Sequence, residues 1–89
     1  MAETLNKIGR RKTAIARISM TPGQGQIKIN GRTLAHYFPS EILQIVVNQP
    51  FALTNTAGSF DVTARIDGGG IKGQAEALRL AISRALQTQ

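Results

Sequence analysis

The sequence predicts an α/β (α+β) two-layer sandwich, in which a mostly antiparallel sheet of three to four strands carries two main helices on one face. Several segments place apolar side chains at every second position, which is typical of strands with one buried face. Two other segments repeat apolar residues at three- and four-residue intervals, as amphipathic helices do. Because each element has one apolar face, helices on one side of the sheet bury all of these faces and leave the other side open.

Length and composition restrict the class of protein. The 89 residues suffice for one domain, so residues 1–89 are expected to form a single globular core domain. Eleven Lys and Arg against five Asp and Glu give a net charge of +6, which favours a polyanionic partner. The absence of cysteine excludes disulfides and thiolate sites. No apolar run approaches the roughly 20 residues of a membrane span and no secretory signal is apparent, so a soluble protein without a membrane partner is expected.

Apolar alternation predicts the strands. It runs over residues 14–20, and again over 26–30 before a turn at Asn30-Gly31. The Thr-Pro-Gly-Gln-Gly segment at 21–25 has the composition and length of a hairpin turn, so the two strands are expected to pair as an antiparallel hairpin. The clearest strand runs from 60 to 67 and ends at three consecutive glycines.

Two prolines bracket the first predicted helices. Residues 33–38 can form a short helical turn, which Pro39 closes because the residue before a proline avoids the helical conformation. Ser40 is the expected N-cap of an amphipathic helix, and Glu41 suits the dipole of its first turn. Pro50 is expected to end this helix.

The remainder of the chain is predicted as a short strand at 51–53, a loop at 54–59 and, after the third strand, the longest helix from Ile71 onward. The apolar face of that helix comprises Ile71, Ala75, Leu78, Ile82 and Ala85. A flank of small residues, where the helix can approach the sheet closely, comprises Gly73, Ala77 and Ala81.

A basic cluster near the start is the first candidate site. Five cations fall within eleven residues: Lys7, Arg10, Arg11, Lys12 and Arg17. Because three adjacent cations cannot share one face of a strand, a bend or bulge near Gly9 is expected to direct them to separate anionic groups. Arginine offers phosphate a two-pronged donor and lysine a point charge. The alternative is a solvated cluster that maintains solubility.

The second candidate is the segment from Gly68 to Gly73, which lies between a strand and a helix and matches the pattern G-x-G-x-x-G. A dinucleotide site also needs a following parallel strand and a later acidic residue, for which the final helix leaves no room. A Walker loop is excluded because Gln74 follows Gly73. Exposed backbone N–H groups at the helix start would attract an oxyanion. The alternative is a tight turn that requires positive φ.

Catalytic chemistry finds little support. His36, the single histidine, stands beside two aromatic residues and is expected to pack or to lie at the surface. The carboxylates are scattered, and Asp61 and Asp67 share the outward face of their strand with Arg65, which indicates salt bridges or solvation. No enzyme activity, cofactor or metal is therefore expected. The four aromatic residues are expected in the core, which argues against base stacking on an exposed sheet.

Several motifs occur together in an order that resembles the family of the ninth protein of the small ribosomal subunit, bacterial type. They are Gly9-Arg10-Arg11-Lys12-Thr13-Ala14, Ile29-Asn30-Gly31, Tyr37-Phe38, Gln49-Pro50, Gly68-Gly69-Gly70, Gly73-Gln74-Ala75 and Ser83-Arg84-Ala85-Leu86. The resemblance implies a left-handed β-α-β crossover, contrary to the usual handedness. It also implies a structural constituent of the small-subunit head in the cytoplasmic ribosome, bound to small-subunit ribosomal RNA and to neighbouring head proteins.

The resemblance carries these roles to matching residues. RNA phosphates would be bound by Arg10, Arg11, Lys12 and Arg17, with Lys7 close by. The RNA backbone would approach the last helix at Gly68, Gly69 and Gly70, beside Lys72, Gln74 and Arg79. Family members continue into a long basic C-terminal tail that reaches transfer RNA, whereas this sequence stops at Gln89, so that contact is not assigned to it.

The central expectation is that the basic cluster and the glycine segment converge on one RNA-binding surface, in a protein that is monomeric when free and folds alone with modest stability. Two other functions remain open at this point. One is a nucleotide- or phosphate-binding module, since related glycine-rich turns serve some kinases. The other is a stand-alone basic protein-interaction domain.

Overall fold

A computed structural model describes residues 4–55 and 58–87, and within them five strands and three helices. The elements are β1 (Leu5–Arg11), β2 (Ala14–Pro22), β3 (Ile27–Ile29), β4 (Arg32–Thr33), α1 (Leu34–Tyr37), α2 (Glu41–Leu53), β5 (Phe60–Asp67) and α3 (Ile71–Gln87). The strand order is β1-β2-β5-β3-β4, and only the β3–β5 pair is parallel. The two-layer, mostly antiparallel architecture is confirmed, with five strands where three to four were expected.

The alternating pattern separates the two faces of the sheet. In β5, Val62, Ala64 and Ile66 are buried, whereas Thr63 and Arg65 between them are exposed. The inward side chains of β2, β3 and β5 join the helices in one hydrophobic cluster. The opposite side of the sheet is therefore open, as the sequence predicts. No helix in the described part of the chain is long and apolar enough to cross a membrane.

The expected hairpin between β2 and β3 is wrong, because β5 lies between them and pairs with both. The segment that joins β2 to β3 crosses the beginning of β5, where Gly23 N–H donates to the Ser59 carbonyl at 3.0 Å. β3 instead forms its hairpin with β4, through an Asn30-Gly31 turn with φ values of 51° and 81°. Alternation determines the face that a side chain takes, but it does not determine the neighbouring strand.

The Asp61 carboxylate organises that connecting segment instead of forming the expected salt bridge. Its Oδ1 accepts hydrogen bonds from the backbone N–H groups of Gln26 at 2.9 Å and Gln24 at 3.0 Å. These donors, with Gln26 the stronger influence, hold the pKa of Asp61 below its ordinary value of 3.8. Asp61 is therefore a structural residue of the chain crossing.

The bend or bulge expected near Gly9 is also wrong. The register between β1 and β2 is continuous from the Leu5–Met20 pair to the Arg11–Ala14 pair. Strand alternation and the hairpin turn already separate the cations, so no extra residue is needed. Gly9 has another role, since a Cβ there would overlap the Ala77 carbonyl oxygen and lie 2.5 Å from Ala81 N. The prediction that the small-residue flank of α3 approaches the sheet closely is thus confirmed.

Helix α2 begins as expected and ends later. Ser40 is its N-cap, without a side-chain cap hydrogen bond, and Glu41 lies in its first turn. Pro50 does not end the helix, which continues to Leu53, so the strand expected at 51–53 is its last turn. Pro50 and Phe51 are both buried in the core, and this packing offsets the missing N–H hydrogen bond. Of the loop predicted at 54–59, residues 56 and 57 lie outside the described residues, and the others lie in turns and bends, outside the helices and strands.

The remaining helices agree with the sequence pattern. α1 is the predicted short turn, with Thr33 as its N-cap. In α3, the residues expected to face inward are buried from Ala75 onward. Ile71, at the first position of the helix, is 51% exposed. The parallel strands β3 and β5 are joined through β4, α1 and α2, which makes the β-α-β connection that the resemblance implies. Its handedness stays a prediction.

Candidate nucleic-acid interface

The β1–β2 hairpin places its basic residues on different sides. Arg11 and Ala14 form the last pair, so Lys12 and Thr13 make a two-residue turn. Lys12 adopts φ 56°, a left-handed conformation that a lysine rarely takes. Arg10 lies on the open side of the sheet, since its neighbour Gly9 lies on the helix side, and Arg11 lies on the helix side too. The hairpin tip therefore presents Arg11 and Lys12 toward the start of α3 and Arg10 away from it.

The glycine segment packs directly on this tip. Gly68 has φ +75°, and a Cβ there would overlap the Thr13 carbonyl oxygen. Gly69 has φ +65°, and its Cβ would lie 2.8 Å from the Ala14 Cβ. Both glycines are thus required by positive φ and by internal close packing. The basic tip and the glycine segment, 50 or more residues apart in sequence, meet here as expected.

Gly70 differs from its neighbours. Its φ is not positive, and a Cβ there would meet no atom within 4 Å. It stands immediately before α3, and its carbonyl accepts the first helical hydrogen bond from Gln74 N–H at 2.9 Å. The first N–H groups of the helix have no helical acceptor, because no preceding turn supplies one. The open space before Gly70 therefore adjoins free backbone donors.

These parts form a concave surface that we call the basic groove. It is lined by Arg11, Lys12, Thr13, Gly69, Gly70, Lys72, Gly73 and Glu76. Arg11 Nε donates to Glu76 Oε2 at 2.6 Å, the single ion pair among the described residues. This hydrogen bond is the main cause that lowers the pKa of Glu76 below its ordinary value of 4.5. Among the residues described here, Lys12 and Lys72 are the cations of the groove that form no ion pair within 4.0 Å, although the charge of Lys72 also helps to lower the pKa of Glu76.

Gln74 supports the groove from below. Its Nε2 donates to the Gly68 carbonyl at 3.0 Å, and its Oε1 accepts from the Tyr37 hydroxyl at 2.8 Å. Asn30 Nδ2 in turn donates to the Tyr37 hydroxyl at 3.4 Å and to the Ile66 carbonyl at 3.2 Å. The network joins α1, the β3–β4 turn, the end of β5 and the start of α3. Gln74 thereby acts by positioning the glycine segment, a role that the sequence reasoning missed.

The other predicted site residues lie elsewhere. Lys7 pairs with Ile18 in register, on the helix-facing side of the edge strand. Arg17 and Arg10 lie on the open side of the sheet. Arg79 donates from Nη1 to Gln49 Oε1 of α2 at 3.1 Å, about 12 Å along the helix from its start. The structure thus brings Arg11, Lys12, Lys72 and the three glycines together, but not Lys7, Arg10, Arg17 or Arg79.

Other kinds of site find no support in the geometry. Among residues 4–55 and 58–87, no three His, Cys, Asp or Glu side chains are grouped so that they could hold a metal ion. His36 is exposed, and its backbone N–H caps α1 at Thr33 Oγ1. Phe38 and Phe51 are buried as expected, while Tyr37 and Phe60 are half-buried.

Comparison with known proteins identifies the class of protein to which this chain belongs. The family model described as ribosomal protein S9/S16 matches residues 9–89, so the chain belongs to this family of structural, non-enzymatic proteins. The resemblance inferred from the sequence motifs is confirmed.

Three curated relatives are each named small ribosomal subunit protein uS9. That of Gemmatimonas aurantiaca is 55% identical over 97% of this chain and 67% of its own length. That of Parabacteroides distasonis is 57% identical over 94% of this chain and 66% of its own length. That of Cutibacterium acnes is 60% identical over 88% of this chain and 45% of its own length. The chain thus spans about two thirds or less of the length of the relatives that it matches.

Proposed function

We propose that residues 1–89 form a single core domain of a structural protein of the small ribosomal subunit head, which acts in cytoplasmic ribosomes by binding small-subunit ribosomal RNA. Family membership supports the ribosomal role, and the relatives are named for the small subunit. The observation that carries RNA binding is the convergence of the hairpin tip and the glycine segment on the basic groove.

The groove suits an RNA phosphate in three ways. Lys12 and Lys72 supply positive charge that, among the described residues, no ion pair within 4.0 Å holds, and the free N–H groups at the start of α3 supply directed donors. The empty space before Gly70 lets a phosphate approach these donors without meeting a side chain. Arg11 and Glu76 form the wall of the groove and hold the tip against α3. The groove thus binds the backbone of RNA and not its bases.

Other partners fit other parts of the surface. α2 exposes Ile42 at 73%, Ile45 at 65% and Leu53 at 82%, and it carries no cation. A surface of this composition suits a protein better than RNA, so we place contacts with neighbouring head proteins there. The free chain is proposed to be a monomer, which size-exclusion chromatography with light scattering tests directly.

Filter binding to an RNA fragment of the small-subunit head, over a series of salt concentrations, tests the proposal. Lys12→Gln is expected to weaken binding and to reduce the log–log salt slope by about 1, because one phosphate contact is lost. Arg32→Gln is the matched control, since Arg32 is also an exposed cation, on β4 at the far edge of the sheet. Equal losses in the two variants, or wild-type binding that ignores salt, would refute the assignment.

The two alternative functions give different results in the same samples. A nucleotide-binding module would release or absorb heat on titration with ATP and Mg²⁺, which the proposal does not expect. A basic protein-interaction domain would retain RNA binding when Arg10, Arg11 and Lys12 are all changed to Gln. The proposal instead requires that this triple variant lose most of its affinity for RNA.

A further inference from the structure

The open side of the sheet carries a second group of cations, separate from the basic groove. We call this surface the open face; its cations are Arg10, Arg17, Lys28 and Arg65. Arg17 is three residues beyond Ala14, or about 10 Å along the strand from the hairpin tip, and on the opposite side of the sheet from Arg11. The groove and the open face therefore cannot contact the same phosphate.

Two arginines lie directly opposite each other at the centre of this face. In the antiparallel register, Ile8 pairs with Arg17, and Arg17 pairs with Arg65, so the three residues form one row across β1, β2 and β5. Directly opposed residues in antiparallel strands have Cα atoms about 4.5–5.5 Å apart. Like charges in such a pair destabilise the sheet. The free protein thus carries two like charges at directly opposed positions of adjacent strands.

Within the described residues, no carboxylate forms an ion pair with Arg17 or Arg65. The single ion pair there is between Arg11 and Glu76, on the other side of the sheet. Asp61 shares the open face, but its Oδ1 accepts the N–H groups of Gln24 and Gln26. Asp67 pairs in register with Ile15 and forms no ion pair within 4.0 Å. An external anion is what the Arg17–Arg65 pair lacks.

The surroundings of the pair define the class of anion. A shallow depression includes Asn6, Arg17, Ser19, Thr63 and Arg65, with hydroxyl and amide groups beside the two guanidinium groups. Ser19 donates to Asn6 Oδ1 at 2.8 Å, which leaves the Asn6 amide N–H groups free to donate outward. The outward positions of β1, β2 and β5 carry no aromatic residue on which a base could stack. These groups can donate hydrogen bonds to phosphate oxygens, and no aromatic ring is present beside them, among the described residues, to stack on a base.

We propose that Arg17 and Arg65 form a second phosphate-binding site, which takes the backbone of an RNA segment other than the one held in the basic groove. The proposal rests on RNA binding by this chain and adds that the domain joins two RNA segments from opposite sides of one sheet. An anion between the two guanidinium groups converts their repulsion into two attractive contacts. Arg65, which neither the basic cluster nor the resemblance singled out, becomes an RNA-binding residue.

The test uses the 89-residue chain, the head-domain RNA fragment, and salt from about 50 to 200 mM. Arg65→Gln is expected to reduce the log–log slope by about 0.7–0.9 and the affinity at 0.1 M salt by about five- to eightfold. Arg65→Lys is expected to keep the slope, and the control Arg32→Gln to keep both quantities. The melting temperature of free Arg65→Gln is expected to be unchanged or higher, because the variant removes a like-charge contact.

Four outcomes decide the matter. Arg65→Gln that binds RNA as tightly as Arg32→Gln overturns the proposal, and this is also the result if the open face docks an acidic protein. A lowered melting temperature in Arg65→Gln overturns it too, since Arg65 would then stabilise the fold. If Lys12→Gln weakens binding and Arg65→Gln does not, only this second site fails. If the wild type shows no salt-dependent binding, the proposed function itself fails.

Discussion

The three consecutive glycines are chemically identical, yet they are present for two different physical reasons. Gly68 and Gly69 adopt positive φ and pack against Thr13 and Ala14 at the hairpin tip. Gly70 has neither constraint, because its φ is ordinary and the space before it is empty. The first two glycines therefore serve the fold, and the third is free to serve a ligand.

Substitution separates these two roles. Gly68→Ala is expected to lower the free energy of unfolding by about 2 kcal/mol or more, because the methyl group meets the Thr13 carbonyl and φ is left-handed. Gly70→Ala is expected to cost at most about 1 kcal/mol, the usual effect of alanine at the start of a helix. It nevertheless weakens RNA binding, since its methyl group fills the approach to the helix N–H groups. Urea unfolding and filter binding measure the two effects.

The opposite pattern would contradict this division of roles. If Gly70→Ala unfolds at much lower urea concentrations and Gly68→Ala does not, the internal packing has been assigned to the wrong glycine. Gly31→Ala is a useful comparison, since Gly31 has positive φ but no atom within 4 Å of its Cβ position. It reports the cost of the backbone conformation alone.

The Arg11–Glu76 pair makes stability depend on pH. The folded pKa of Glu76 lies below its ordinary value of 4.5, because Arg11 donates a hydrogen bond to the charged form. The unfolded chain therefore takes up the proton first as pH falls. The stabilising contribution is complete above about pH 4.5 and is lost as pH falls through the folded pKa.

Glu76→Gln is expected to flatten this part of the pH profile. Thermal melts between pH 6 and 3 measure it, and the difference between wild type and variant isolates Glu76 from Asp61, which titrates in both. Parallel profiles would show that the ion pair does not contribute. The same variant releases Arg11 into the basic groove and is expected to bind RNA more tightly at neutral pH.

At the scale of elements, the groove depends on hydrogen bonds that join four separate pieces of the chain. Tyr37 from α1 donates to Gln74 in α3, and Gln74 holds the carbonyl of Gly68. Asn30 connects the same hydroxyl to the end of β5. α1 comprises only four residues, and its tyrosine nonetheless determines where the glycine segment lies.

Tyr37→Phe tests this dependence, because it removes the hydroxyl and retains the ring. The variant is expected to lose about 1 kcal/mol of stability, the usual net value of one hydrogen bond. Amide hydrogen exchange should accelerate at residues 68–74 and remain unchanged at the Arg11–Ala14 pair. His36→Phe, one residue away on the exposed side of α1, is the control. Equal exchange rates in Tyr37→Phe and wild type would show that this hydrogen-bond network does not hold the glycine segment in place.

At the scale of the whole molecule, positive charge lies on both sides of the sheet. The net charge is +6 on a chain whose Cα radius of gyration is 11.6 Å. Self-repulsion is modest at this charge and is screened by salt over about 10 Å at 0.1 M. Under the proposed function the same cations attract RNA, whose binding is expected to weaken as salt rises.

Salt should therefore act in opposite directions on the free protein and on its complex. From about 50 to 200 mM salt, the melting temperature of the free chain is expected to rise slightly, in a single cooperative transition, while RNA affinity falls steeply. Differential scanning calorimetry and filter binding on the same samples provide both measurements. A free chain that melts without cooperativity would contradict independent folding. One that is destabilised by salt would show that favourable ion pairs outweigh the repulsion.

Much of the fold follows from local pattern. The alternation in β2 and β5 and the spacing in α3 predict which side chains are buried, because each periodicity commits one face of an element to the core. The rule that a proline ends a helix failed at Pro50, because the burial of Phe51 outweighed the cost of a proline inside the helix. The prediction of a β2–β3 hairpin failed because the composition of a turn carries no information about β5, which follows about 30 residues later and lies between the two strands.

The candidate site divides in the same way. The residue types of the groove, lysines beside glycines at a helix start, are visible in the sequence and suggest phosphate by their chemistry alone. Strand order and register place Lys12 beside Gly70. They also place Arg17 opposite Arg65 on the other side of the sheet. Composition, burial periodicity and family motifs are properties of short segments, so the sequence by itself determined them. The two charged surfaces join residues about 50 to 60 positions apart, so only the packing of β5 beside β2 decided which cations share a face.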